Sequence, residues 1–179
     1  MKKIILLLLL IFQFTNLKAN TEVKYSAYLG GLQVANIFYS TGLENDKWEI
    51  KTTITASGLV DVFVSFTFSA ESSGKYINDR LITDTYNFSY EIKNKNKSRF
   101  AEILYKDGIP ISVTANPKYK GEDIPTPDFL KKYGEKSSDP NSAFVVSNKL
   151  ANPCLENSRS FDGIRSYEIL MSKKSKKSK

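Results

Sequence analysis

An alternation of period two, broken at short intervals by turn chemistry, limits this chain more than any other feature. Val23-Lys24-Tyr25-Ser26-Ala27-Tyr28-Leu29 alternates apolar with polar or small residues, Gly30-Gly31 supplies a turn, and Leu32 to Ser40 alternates again. Successive side chains of an extended strand point to opposite faces, so such runs bury one face and wet the other. After a polar turn over Gly42 to Lys47, the next run sets Trp48, Ile50 and Ile54 on one face and Glu49, Lys51 and Thr53 on the other. Leu81 to Ile92 brings Tyr86, Phe88, Tyr90 and Ile92 together. Past the turn Asn94 to Lys97, the runs Arg99 to Lys106 and Ile109 to Ala115 flank Asp107-Gly108, a two-residue hairpin signal. Consecutive strands joined by tight turns argue against a parallel α/β sheet, whose crossovers need helices.

Three stretches leave the pattern. Leu59, Val62, Phe63 and Phe66 have helical spacing while Val62, Val64, Phe66 and Phe68 have strand spacing, and Ser57-Gly58 in front predicts a helical turn passing into a strand by Thr67. Asn116 to Ser138, with Pro117, Pro125 and Pro127, is a long surface excursion holding at most a helical turn at Asp128 to Tyr133. Asp139-Pro140 reads as an N-cap with proline in the first helical position, predicting a helix over about 139–151 that Asn152-Pro153 ends. A closing strand follows: Arg159-Ser160-Phe161, the turn Asp162-Gly163, then Ile164 to Met171. The expected fold is one mainly β domain over 20–171, a curved antiparallel sheet or half-open β-barrel with one short helix.

The first nineteen residues read differently. Lys2 and Lys3, the apolar run Ile4 to Phe14 and the polar close up to Ala19 have the layout of a secretory signal peptide cleaved after Ala19. The apolar run is too short to span a bilayer, so an integral membrane protein is not expected, and the leader has no Cys to carry a lipid. The expected location is periplasmic or secreted. Removing the leader takes three Lys with it and lowers the net charge from +7 to +4. The Ser172 to Lys179 tail holds five more Lys, so the body alone sits at −1. That low-complexity tail reads as a disordered end. A basic face for nucleic acid is therefore not expected.

Composition also limits the chemistry. With no His in 179 residues, His-based triads, imidazole metal sites and His proton shuttles are excluded. No G-x-S-x-G elbow, phosphate loop or zinc spacing occurs, and no cofactor is expected. Cys154 is the one thiol; without a neighbouring base it reads as inert or as half of a bridge rather than as a nucleophile. Glu122, Asp123 and Asp128 in the long loop are the candidates for a hydrolytic carboxylate pair or a calcium site. Tyr25, Tyr28, Phe38, Tyr39, Phe63, Phe66, Phe68, Tyr86, Phe88 and Tyr90 supply either a core or an aromatic face for a lipid or another hydrophobic ligand. A sheet edge left open would instead accept a partner's strand.

Tyr25 to Ala35, Thr55-Ala56-Ser57-Gly58-Leu59, Asp139-Pro140-Asn141-Ser142-Ala143, and Cys154 before Phe161-Asp162-Gly163-Ile164-Arg165-Ser166-Tyr167 resemble the bacterial envelope proteins grouped as domain of unknown function 3108. The resemblance implies an exported, mainly antiparallel β protein with no assigned activity. Family members continue past the Tyr167-Glu168-Ile169 strand, often with a second Cys. By that comparison this chain is expected to be C-terminally shortened, leaving Cys154 without its bridge and the sheet without its closing strands.

Overall fold

Left-handed backbone marks the turns. The pairs Gly30 (φ 58) and Gly31 (φ 84), Asn45 (49) and Asp46 (61), Asn78 (51) and Asp79 (61), and Asp107 (54) and Gly108 (77) each place two consecutive residues at positive φ. Two-residue hairpins of this hand match the twist of the strands they join, and Asn, Asp and Gly tolerate the conformation best. Four of the six connections of the main sheet are made this way.

The computed structural model describes residues 19–120, 125–145 and 158–170. Strands β1 (Ala19–Leu29), β2 (Leu32–Glu44), β3 (Lys47–Ala56), β4 (Phe66–Ile77), β5 (Arg80–Ile92), β6 (Lys97–Lys106) and β7 (Ile109–Asn116) form one seven-stranded sheet whose spatial order is its sequence order. Every pairing is antiparallel. The sheet does not close: β1 and β7 are its two edges. Helix α1 (Leu59–Phe63) leads into β4 as the spacing predicts, and a 3-10 turn at Lys93–Lys95 joins β5 to β6.

Three expectations change. The turn read over Gly42 to Lys47 contracts to Asn45-Asp46, and Gly42 lies inside β2, where a Cβ would stand 3.1 Å from Asn20 Oδ1. The α-helix of the C-terminal part is α2 (Pro127–Gly134), where only a turn was expected. Its start is fully encoded: the Thr126 hydroxyl accepts from Phe129 N at 3.2 Å, Pro127 opens the helix, and Asp128 faces the positive end of its dipole. In the segment read as a helix over 139–151 only a 3-10 turn at Ser142–Phe144 forms, with Asn141 at its N-cap position; the Asp139 carboxylate accepts from the N–H groups of Asn141 and Ser142 just ahead of it. Residues 146–151 lie outside the described part. Two short strands, β8 (Ser158–Phe161) and β9 (Ser166–Ile169), form a separate antiparallel pair around the expected Asp162-Gly163 turn.

Register separates the two faces of the sheet. One row runs Val23, Tyr39, Thr52, Ala70, Phe88, Ala101, Ala115 across all seven strands. On one side of it lies the row Thr21, Thr41, Ile50, Ser72, Tyr86, Ile103, Val113; on the other lies Tyr25, Ile37, Ile54, Phe68, Tyr90, Arg99. The opposite face is polar: Lys51 there bridges Glu49 and Glu71, each at 2.8 Å. Of the ten aromatics, Phe38, under the Lys24 ammonium, and Tyr28, paired with Gln33, belong to this polar face, and Phe63 belongs to α1. None of the three joins the apolar rows.

The C-terminal elements cap part of the apolar face. Gly134 of α2 sits so close to β7 that a Cβ would fall 2.1 Å from Pro110 Cγ, and a Cβ on Gly163 would fall 2.8 Å from Ile103 Cδ1. Phe161, fully buried, packs against the Phe129 ring with centroids 6.2 Å apart. Ser138 N donates to Arg159 O at 2.8 Å, and Phe161 N donates to Ser138 O at 2.9 Å, which joins β8 to the segment that carries Asp139.

Candidate functional site

Asp139 has no exposed surface and lies over the sheet. Its Oδ1 accepts from Ser72 Oγ on β4 at 2.5 Å and from the backbone N–H groups of Asn141 and Ser142 at 3.0 and 3.1 Å. Its Oδ2 accepts from Thr83 Oγ1 on β5 at 2.7 Å and from the Ser142 hydroxyl. A carboxylate offers about four lone-pair sites, so five donors leave it no capacity for a substrate or a metal. Burial of an ionised carboxylate is tolerated when donors replace its hydration, and here they come from both the sheet and the cap. Asn141 extends the joint: its Oδ1 accepts from Thr52 Oγ1 on β3 at 3.0 Å. Chemically this is a clamp.

The clamp sets the electrostatics of the face around it. Burial pushes the Tyr39 hydroxyl up from its ordinary value of 10.0 to about 12, with the Asp139 charge adding to the effect. Burial, again joined by Asp139, also raises Tyr86 and Tyr105 well above that value. These phenols stay neutral across the physiological range and serve no base. Because Tyr39 holds its proton more tightly folded than unfolded, its stabilising contribution is present below pH 10 and is lost as pH rises towards about 12. Urea unfolding across that window should therefore show stability falling with pH, and Tyr39→Phe should flatten the fall.

Away from the clamp, the apolar face is less covered. Tyr25 is 55% exposed, and Ile37, Ile54, Phe68 and Tyr90 in the same row are half-buried. The Phe68 and Phe88 rings stack with centroids 6.1 Å apart, giving this part a rigid aromatic floor. The row ends on Arg99, a cation that parity places on the apolar side. Its guanidinium carbon lies 4.8 Å from the Tyr119 ring centroid, and its Nε is buried with no hydrogen-bond partner among the described residues. Among those residues no carboxylate forms an ion pair with it. The guanidinium is half-buried and hydrogen-bonds Tyr119, and its desolvated Nε is a donor left unused.

The structure distributes the sequence candidates widely. Asp128 is exposed in the first turn of α2 and is not gathered with other acidic groups among the described residues, while Glu122, Asp123 and Cys154 lie outside them. Among the described residues no three acidic or thiol side chains converge as metal ligands. Asp162 is structural: its Oδ1 accepts from Ile164 N and Arg165 N at 2.9 and 2.7 Å, and its Oδ2 from Tyr167 at 2.8 Å. Pro140 follows Asp139 within the clamp. Two open clefts stand out, one of about 420 Å³ on the polar face beside Glu49 and Lys51, the other of about 620 Å³ between the Asn45-Asp46 and Asn78-Asp79 turns. Neither reaches the aromatic row.

Arg99 escaped the sequence reading because its face depends on the register that the β5–β6 turn sets. No described helix is long and apolar enough to cross a membrane. Comparison with family models, with curated proteins and with solved structures finds no match.

Proposed function

We propose that this is an exported, periplasmic protein of the bacterial envelope, without enzymatic activity, whose half-buried aromatic row beside the clamp holds an amphipathic ligand with a long apolar chain and an anionic head. The observation that carries the reading is the row Tyr25, Ile37, Ile54, Phe68, Tyr90, Arg99, apolar along its length and cationic at its end. Strands lie about 4.8 Å apart, so the row runs roughly 24 Å across the sheet, room for an extended acyl chain. Arg99 would supply the head-group contact with donors that no described carboxylate uses. The leader layout and the resemblance to exported β proteins support the location.

Native mass spectrometry of protein purified from cell envelopes tests the reading, with a retained lipid or fatty acid as the expected result. Titration with palmitate should then show Arg99→Gln binding about ten- to a hundredfold more weakly, the worth of a charge-assisted hydrogen bond. Protein that retains no amphiphile, or an Arg99→Gln variant that binds palmitate as well as the parent, would contradict it.

A further inference from the structure

The two ends of the sheet differ in chemistry, and the meander does not require them to. Alternate connections of a meander fall at the same end. One end carries the Asn45-Asp46, Asn78-Asp79 and Asp107-Gly108 turns, short and polar. The other carries the Gly30-Gly31 tip, the 57–65 connection with α1, and the Lys93–Lys95 turn. The 57–65 connection touches the start of β2 on one side and the Lys93–Lys95 turn on the other. Ser57 N donates to Val34 O at 3.0 Å, Lys93 N donates to Ser65 O at 3.0 Å, and the Asn94 side chain donates to the Phe63 carbonyl.

What this second end presents is apolar. Leu29 is 75% exposed, Val62 74% and Phe63 72%, with Leu32 and Leu59 also exposed, and α1 buries none of its residues. Such an array of large side chains on adjoining loops has no packing role in the described fold, and exposed apolar patches of this kind mark interaction surfaces. Lys93, Lys95 and Lys97 are exposed beside it, against Asp61 and Glu91 as the acidic groups of the same end. The cores of protein–protein interfaces are depleted in lysine. Interfacial membrane anchors combine Phe and Leu on one side with Lys on the flank.

We propose that this end docks on an anionic lipid bilayer, with α1 and the Gly30-Gly31 tip entering the headgroup boundary and the β5–β6 lysines meeting lipid phosphates. The proposal stands on the patch and its lysines and does not need the ligand reading.

A local probe tests it in the full chain. Phe63→Trp places an indole in the patch and Ile77→Trp places one at the opposite end, while Trp48, 4% exposed, gives a constant background. With vesicles of phosphatidylethanolamine and phosphatidylglycerol carrying brominated chains, the indole at position 63 should shift to the blue and be quenched, and that at position 77 should do neither. Adding Lys93→Gln, Lys95→Gln and Lys97→Gln together should weaken vesicle binding read at position 63 about a hundredfold. These positions are exposed, so an unchanged melting temperature shows that the variants remain folded. Absence of a shift with anionic vesicles, equal shifts at positions 63 and 77, or equal quenching by pure phosphatidylcholine vesicles would each overturn the proposal. So would a shift that follows protein concentration without vesicles, which would make the patch a contact between two copies of the chain.

Discussion

Asp139→Ala should lower the stability of the folded protein by about 3–5 kcal/mol. The carboxylate serves five donors from β4, β5 and the cap itself, and truncation leaves them facing an apolar methyl. Hydrogen bonds to a charged acceptor are worth roughly 1.5–3 kcal/mol each, and simple addition would equal the whole stability of a typical domain. The loss saturates because the cap can lift and let water reach the stranded donors. Urea denaturation should show the midpoint falling, and thermal melting should fall by on the order of 10 °C. Ser72→Ala and Thr83→Val remove one donor apiece and should each cost less than Asp139→Ala. If Asp139→Ala melts with the parent protein, the carboxylate is no clamp.

Phe161→Ala should cost about 3–5 kcal/mol for a different reason, the empty volume left by a ring with no exposed surface. That ring is wedged between Phe129 of α2 and Gly134, whose added Cβ would already lie 3.4 Å from Phe161 Cδ1. Neighbouring backbone cannot collapse far into the gap, because Gly134 is itself held against Pro110. Phe161 and Asp139 reach each other through Ser138, whose backbone pairs with both Arg159 and Phe161. Either substitution therefore releases the same segment, and the double variant should lose less than the sum of the singles. Full additivity in a double-mutant cycle would show that β8 and the clamp dock independently.

Much of this architecture was legible from alternation and turn chemistry. Gly30-Gly31 and Asp107-Gly108 announce hairpins because few other dipeptides accept two left-handed residues in succession, and the Trp48/Ile50 parity is the one the sheet buries. Glycine misled at position 42, where it permits close approach of the Asn20 side chain within a strand and makes no turn. Thr126-Pro127-Asp128 held a complete helix start within a proline-rich stretch, and the prolines masked it. The bonds of Asp139 to the Asn141 and Ser142 N–H groups are local and readable, although the 3-10 turn they precede has Asn141 at its N-cap. Its bonds to Ser72 and Thr83, 67 and 56 residues away, depend on tertiary docking that no local pattern encodes. The same holds for Arg99, whose position at the end of an aromatic row follows from register across five strand pairs.

One face of the open sheet is divided, clamped by Asp139 on one side and, in the function proposed, open to an apolar chain on the other. Isotope-filtered NMR of the labelled protein with unlabelled palmitate examines that division directly. Contacts from the palmitate methylenes should appear at the methyl groups of Ile37 and Ile54 and at the Phe68 ring, and not at Ile103, which lies under the cap with no exposed surface. Contacts at Ile103 in place of Ile37 and Ile54, or no contact at any of them under saturating palmitate, would contradict the account.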